Sequence, residues 1–451
     1  MFRPKRPLIH FTPVSGWIND PNGLVYENGN YHLFAQYYPD ATKWGPMHWY
    51  HAVSRDLIHW KHLPVALKPD DLGYIYSGSA VFDSENSSGF GVAGKPPIVA
   101  IYTNHGKTEQ QSIARSTDYT EFIPFTSNPV IPNDTLPDFR DPKIFRKPEG
   151  DWGLVLAAGD RVKFYSSTNL TDWKETREFS EQNSASGVWE CPDLFPLSCG
   201  NRTKWMLTVS MGSGAADRGS RTQYFIGDFK NGKFVSDKPC PDAHWLDAGF
   251  DNYASVTFDN TPDKIMLGWA SNWIYADKIP AETYRGCMTL PRNITLSETP
   301  DGDFIPVLSP VKIGIFSECN YSEFRSLGTT CFCIKVSGRG EGYVTLSNSA
   351  GNRLMFGVNG NNEFYFDRTE AGIKDFDDNF ASEMFSVATH KRIMSGSWHF
   401  ELIFDSYICE IFADGGYSAF TSLVFPEIPY NTISCSTGVK ARIFKSNSTN
   451  L

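Results

Sequence analysis

Three carboxylates in this chain sit among residues that could put them to work. Asp20 lies in Trp17-Ile-Asn-Asp-Pro-Asn-Gly23, where Asn19 can bond a hydroxyl and Trp17 can offer a sugar ring an apolar face. Proline fixes φ and Asn-Gly accepts positive φ, so the composition predicts a tight turn, which in isolation reads as a plain hairpin. Asp141 follows Arg140 in Phe139-Arg-Asp-Pro-Lys143, and the guanidinium is expected to keep the carboxylate ionised and stiff enough to hold hydroxyls. An ordinary surface ion pair is the plainer alternative. Glu190 lies in Val188-Trp-Glu-Cys-Pro-Asp193, where Trp189 and Cys191 are expected to disfavour its charged form, as a proton donor near neutral pH requires. A partly exposed strand glutamate explains it equally well when taken alone.

Carboxylates this far apart in sequence can act together only if the fold brings them together. The chain reads as β almost throughout: Tyr31–Gln36, Ile98–Tyr102, Lys204–Val209 and Lys264–Trp269 are runs of β-formers of strand length between Gly, Pro, Asn and Asp clusters. Long amphipathic periodicity is missing, which disfavours a parallel α/β sheet. A short motif recurs after strands, with Asp or Asn four residues before an aromatic: Asp56 before Trp60, Asp118 before Phe122, Asn169 before Trp173, and a looser copy beginning at Asp228. Spacings of 62, 51 and 59 residues suit one hairpin per four-stranded propeller blade.

The expected fold is therefore all-β: a five-bladed β-propeller over residues 1–296, a polar linker over 297–317 and a β-sandwich over 318–451. Asp20 would open the first blade, Asp141 the third and Glu190 the fourth, so that all three face one funnel. One ionised and one protonated carboxylate at such a mouth are the minimum equipment for glycoside hydrolysis.

Composition narrows the alternatives. The 451 residues exceed what one core usually fills. Lys and Arg number 41 against 51 Asp and Glu, a net −10 that argues against a nucleic-acid partner. With 20% charged and 14% aromatic residues the chain is no disordered polymer, and part of the aromatic excess is expected to serve a sugar-binding surface. No run of 18 apolar residues exists, so no membrane partner is expected. Nine cysteines without a CxxC pair argue against zinc, and no metal or cofactor is expected. The N-terminus shows no apolar signal segment, which favours the cytoplasm. Seven sequons, at Asn86, Asn133, Asn169, Asn201, Asn293, Asn320 and Asn447, pull toward secretion.

The motifs WINDPNG, FRDPK and WECPD, in this order, resemble the signatures of glycoside hydrolase family 32, the invertases, levanases and exo-inulinases. The likeness extends to His10–Pro13, Trp44–Trp49, Tyr76–Ala80, Trp269–Trp273, Phe366–Arg368 and Glu410–Gly415. It implies Asp20 as nucleophile, Glu190 as general acid/base and Asp141 as transition-state stabiliser. It also implies that Asn19, Gln36, Trp44, Ser77 and Arg140 hold a terminal fructosyl unit, with Tyr76 standing where many members have Phe and Trp273 matching an aromatic near the leaving-group side. Departures at Tyr50, Ala35, Tyr38 and Tyr76 and in the Gly212–Gly219 loop leave the leaving-group preference open. The substrate partner implied is sucrose or a fructo-oligosaccharide or fructan. Other activities kept open are sucrose-6-phosphate hydrolysis, fructosyl transfer and a non-catalytic fructan-binding module. The last would be expected to lose Asp20 or Glu190.

Overall fold

Short β-forming runs separated by turn residues fold into seven sheets in the computed structural model, which describes residues 4–181, 184–212, 218–237, 243–312 and 314–447. The first five sheets follow one another along the chain, each a blade whose first strand is innermost. Those inner strands are Gly16–Glu27, Tyr74–Phe82, Phe139–Arg146, Trp189–Cys199 and Tyr253–Thr257. Each packs against the next and the fifth packs against the first, closing a ring around a funnel. The seam is also hydrogen-bonded, because Tyr284–Arg285 adds to blade 1 as a parallel strand beside Gly16 and Trp17.

The aromatic excess goes mostly into packing rather than into a binding surface. Trp17, Trp49, Trp152, Trp189 and Trp269 are all buried between blades. Trp189, for example, lies 5.7 Å from Phe225 and 6.3 Å from Phe179, centroid to centroid. Large rings fill the wedges between twisted sheets with few rotatable bonds to immobilise.

The recurring motif is a turn with a fixed hydrogen-bond pattern. Ser54, Ser116 and Ser167 hydroxyls bond Asp56, Asp118 and Asn169 at 3.1, 2.9 and 3.1 Å. Each of these Oδ1 atoms accepts from the backbone N–H groups two and three residues on. The following residue, Leu57, Tyr119 or Leu170, takes φ of 67°, 63° or 63°. Asp228 is not a fourth copy: it pairs with Val235 inside a ladder whose turn is Asn231-Gly232.

The segment expected as a linker contains a strand. Phe304–Pro310 pairs with Arg292–Glu298 as the outer edge of blade 5, so the propeller runs past residue 296. The polar stretch from Pro300 to Asp303 is that hairpin's turn, closed by Thr299 N–H to Asp303 C=O at 2.8 Å with Gly302 at φ 83°. Its Asp-Gly dipeptide is a hairpin signal once both flanking strands are recognised.

The remaining two sheets, of six and five strands, face each other over Phe332, Phe356, Phe364, Phe400, Phe404 and Trp398. Buried ion pairs bolt this sandwich to the propeller. Arg292 reaches Asp247 at 2.9 Å and Glu410 at 2.8 Å, Arg368 reaches Asp251 at 3.0 Å, and His10 reaches Asp405 at 2.9 Å. The sequence motifs around Arg368 and Glu410 thus do interdomain work. Several sequon asparagines also have structural roles. Asn133 is 8% exposed and bonded both to its own loop at Leu136 and to the Glu109 carbonyl, and Asn320 caps the helix Tyr321–Leu327 with Glu323 as reciprocal partner.

Candidate active site

Every innermost strand is interrupted by a bulge at the same height. The ladder slips between Ile18 and Pro21, Ile75 and Gly78, Arg140 and Lys143, Glu190 and Asp193, and Tyr253 and Val256. A bulge leaves one extra residue unpaired and re-aims its side chain, here toward the funnel. Asp141, Cys191 and Ala254 take the same role in blades 3, 4 and 5, with φ of 64°, 45° and 53°. Positive φ in non-glycine residues is sparsely populated and clusters where a site over-determines the backbone. The expected tight turn at Asn-Asp-Pro-Asn-Gly is therefore wrong. Those residues lie inside the continuous strand Gly16–Glu27, and the turn chemistry is spent on its bulges.

The bulges bring the three carboxylates together. The Cys191 sulfur lies 3.5 Å from Asp20 Oδ2 and 3.6 Å from Asp141 Oδ2, and the Cys191 N–H donates to that Asp141 oxygen at 2.9 Å. The Ser77 hydroxyl donates to Asp20 Oδ2 at 2.9 Å, while Oδ1 is buried without a protein partner. Arg140 donates to Glu190 Oε1 at 3.0 Å and is held in turn by Asp138 at 2.8 Å and Glu109 at 3.2 Å. The Tyr253 hydroxyl donates to Glu190 Oε2.

Burial sets the electrostatics, against expectation. Desolvation pushes the Asp141 carboxyl up to about 7; Arg140 pulls the other way but loses, and the Glu190 charge adds to the rise. Desolvation likewise raises Asp20 above the ordinary range, outweighing the neighbouring Asn19 amide and the Ser77 hydrogen bond, with the Glu190 charge again adding to it. Trp189 and Glu190 point to opposite faces of their strand, as successive strand side chains do. Trp189 is fully buried between blades, whereas the Glu190 side chain is 24% exposed.

The other anticipated residues surround this trio. Asn19 is buried and its Oδ1 accepts from Trp17 Nε1 at 2.8 Å. Gln36 is buried on the strand beside the first bulge, with its Nε2 lacking a protein partner. Trp44 is 41% exposed and sits edge-on to Tyr76 at 6.3 Å, and Tyr76 stacks on His105 at 4.2 Å. Trp273 stacks on Trp17 at 5.9 Å and meets Tyr253 at 6.5 Å. Tyr50 turns away, bonding His62 beneath Phe11, and Ala35 is core. Of the Gly212–Gly219 loop, residues 213–217 lie outside the described residues.

Sequence reasoning saw Cys191 only as an apolar neighbour of Glu190, and passed over Tyr253, Glu109, Asp138 and Thr103, whose hydroxyl accepts from Asp141 N–H at 3.0 Å. Cys191 lay inside a motif already singled out. Tyr253 becomes visible when Tyr253-Ala-Ser is laid on Arg140-Asp-Pro and Glu190-Cys-Pro as the same bulge.

A carboxylate trio, two of its members buried and the third open to the funnel, ringed by amide, hydroxyl and indole groups at a propeller mouth is the site of a glycoside hydrolase. Residues 10–305 match the glycosyl hydrolases family 32 N-terminal domain and residues 322–449 the family 32 C-terminal domain; the chain belongs to glycoside hydrolase family 32. A levanase of Bacillus subtilis is 39% identical over 94% of this chain, which spans 66% of that protein's length. An extracellular exo-inulinase of Aspergillus niger is 35% identical over 94% of the chain and 90% of its own. The crystal structure of exo-inulinase from Aspergillus awamori superposes with a TM-score of 0.90 at 32% identity, covering 99% of both chains.

Proposed function

We propose that the chain is a retaining, exo-acting β-fructofuranosidase that hydrolyses terminal non-reducing β-D-fructofuranosyl groups of sucrose or β-fructans and releases fructose. The observation that carries this is the convergence of Asp20, Asp141 and Glu190 from blades 1, 3 and 4. Asp20, with one oxygen free of protein partners, attacks C2 while Glu190 protonates the glycosidic oxygen, leaving a fructosyl ester. Glu190 then takes a proton from water, which releases fructose. Asp141 steadies the oxocarbenium charge through ring hydroxyls rather than by bonding. Asn19, Gln36, Trp44, Tyr76, Ser77, Arg140 and Trp273 shape the subsite for one fructosyl ring. A binding module would have no use for a nucleophile and a proton donor held this close together.

Products distinguish the readings. With sucrose, inulin and levan, free fructose is expected from the first time point; early mixed oligomers would show endo cleavage, and oligomers longer than the substrate would show transfer. A cytoplasmic location belongs to this proposal, supported by the eight free thiols among the described residues. Cell fractionation tests it, and activity found only outside the cell would refute it.

A further inference from the structure

Glu190 is held at both oxygens by groups from two other blades. Arg140 Nη2 donates to Oε1 at 3.0 Å and the Tyr253 hydroxyl faces Oε2. The two partners are chemically unlike. A guanidinium has donors only and stays charged, so Oε1 cannot carry a proton while it faces Arg140. A phenol both donates and accepts, so Oε2 can face Tyr253 with or without a proton.

We propose that Tyr253 is a positioning residue that selects Oε2 as the proton-bearing oxygen of Glu190 and serves both of its protonation states by turning its own O–H. This rests on the role given to Glu190 above. Before reaction the Oε2 proton points to the phenol oxygen or to the glycosidic oxygen. As it passes to the glycosidic oxygen, the C2–O bond breaks, its electron pair leaves with that oxygen, and C2 bonds to Asp20. The phenol O–H then donates to the carboxylate left behind. In the second half, water gives its proton to Oε2 and its oxygen to C2, the bond to Asp20 breaks, and the phenol turns back to accept.

The surroundings suit this work. Tyr253 is 1% exposed and wedged edge-on against Trp269 at 6.3 Å and Trp273 at 6.5 Å, which fixes the ring and leaves the O–H free to rotate. Burial, with the charges of Glu190 and Asp20, holds its phenol well above the ordinary range, so it remains a neutral hydroxyl. On another side of Oε2 stands Gly212, where a Cβ would come within 3.1 Å of that oxygen. The glycine keeps Oε2 approachable.

Tyr253→Phe removes the hydroxyl and keeps the ring. Its kcat/KM for sucrose should fall roughly 10- to 100-fold, within the span of acid–base contributions. The value for a fructosyl donor whose leaving group needs no protonation should fall less than about 3-fold. A bond to a carboxylate is stronger than one to a neutral acid, so its loss should move the alkaline limb of kcat/KM up by about half to one pH unit. Equal losses on both donors, or an unmoved alkaline limb, overturn the proposal. If the variant does not fold, 3-fluorotyrosine at position 253 keeps the shape with a stronger donor and must move that limb down; an unmoved limb again overturns the proposal. Glu190→Ala separates the two claims. If it cleaves sucrose at the wild-type rate, the reading of Glu190 falls and this proposal with it. If it is inactive while Tyr253→Phe behaves as wild type, only the present proposal falls.

Discussion

At the scale of single residues, the site carries charge that burial opposes. Asp20 and Asp141 are both raised by desolvation, and the Glu190 charge raises each further. The acid limb of kcat/KM should therefore lie above the usual aspartate range, because Asp20 in its proposed role as nucleophile must be ionised to attack. Glu190→Gln removes a negative charge, which favours ionised Asp20. With a donor that needs no general acid, its acid limb should shift to lower pH. A limb that stays or rises shows that the two groups do not share a site. Asp141 makes a stability statement as well. A carboxyl raised to about 7 from 3.8 holds its proton more tightly folded than unfolded. Its favourable contribution is complete below the unfolded value and is lost as pH rises through about 7. Asp141→Asn keeps the shape, and Asn tolerates the φ of 64°. It should inactivate the enzyme yet melt higher than wild type at pH 8, by about 1–3 kcal/mol, with no difference near pH 3. Thermal melts at the two pH values measure this, and an unchanged gap would refute it.

At the scale of elements, five bulges at one height convert ordinary antiparallel strands into a converging site. Blade 2 makes the dependence sharp. A Cβ on Gly78 would lie 2.1 Å from the Ile101 carbonyl and 2.7 Å from the Tyr102 Cα, both backbone atoms of the neighbouring strand. Gly78→Ala must push the bulge residues Tyr76 and Ser77 away, and Ser77 is the residue that bonds Asp20. We expect a loss of about 2–4 kcal/mol in denaturant unfolding together with a fall in kcat. Wild-type stability would mean that the ladder at Gly78 is looser than its contacts imply.

At the scale of the whole molecule, the propeller and sandwich are joined through buried charge. His10 on the propeller side is fully buried between Asp405 at 2.9 Å and Glu410 at 3.3 Å. Burial alone would lower the imidazole, but the two carboxylates outweigh it and raise the group to about 9. The stability this contributes is complete below the unfolded value near 6.5 and fades as pH rises through about 9. His10→Gln should therefore cost about 2–3 kcal/mol at pH 6 and far less at pH 10, read from unfolding curves at both pH values. A cost independent of pH would show that His10 serves there as a neutral packing group.

The sequence alone determined the all-β class, the propeller followed by a sandwich, and the blades to which Asp20, Asp141 and Glu190 belong. Strand length, turn residues and a recurring Ser-Asx hairpin are local properties, so they are legible without partners. The turn of blade 5 at Pro300–Asp303 was misread as a linker because a hairpin is recognisable only when both its strands are, and Phe304–Pro310 is short and rich in proline. The surroundings of Asp141 and Glu190 were misread for a related reason. Neighbours in sequence alternate across a strand, so Trp189 faces a core while Glu190 faces the funnel, and Arg140 beside Asp141 reaches Glu190 instead. Only the closed ring decided that Tyr253, from a fifth blade with no sequence signal of its own, stands at Glu190. Desolvation and approach across a funnel are properties of the assembled volume, and no window along the chain contains them.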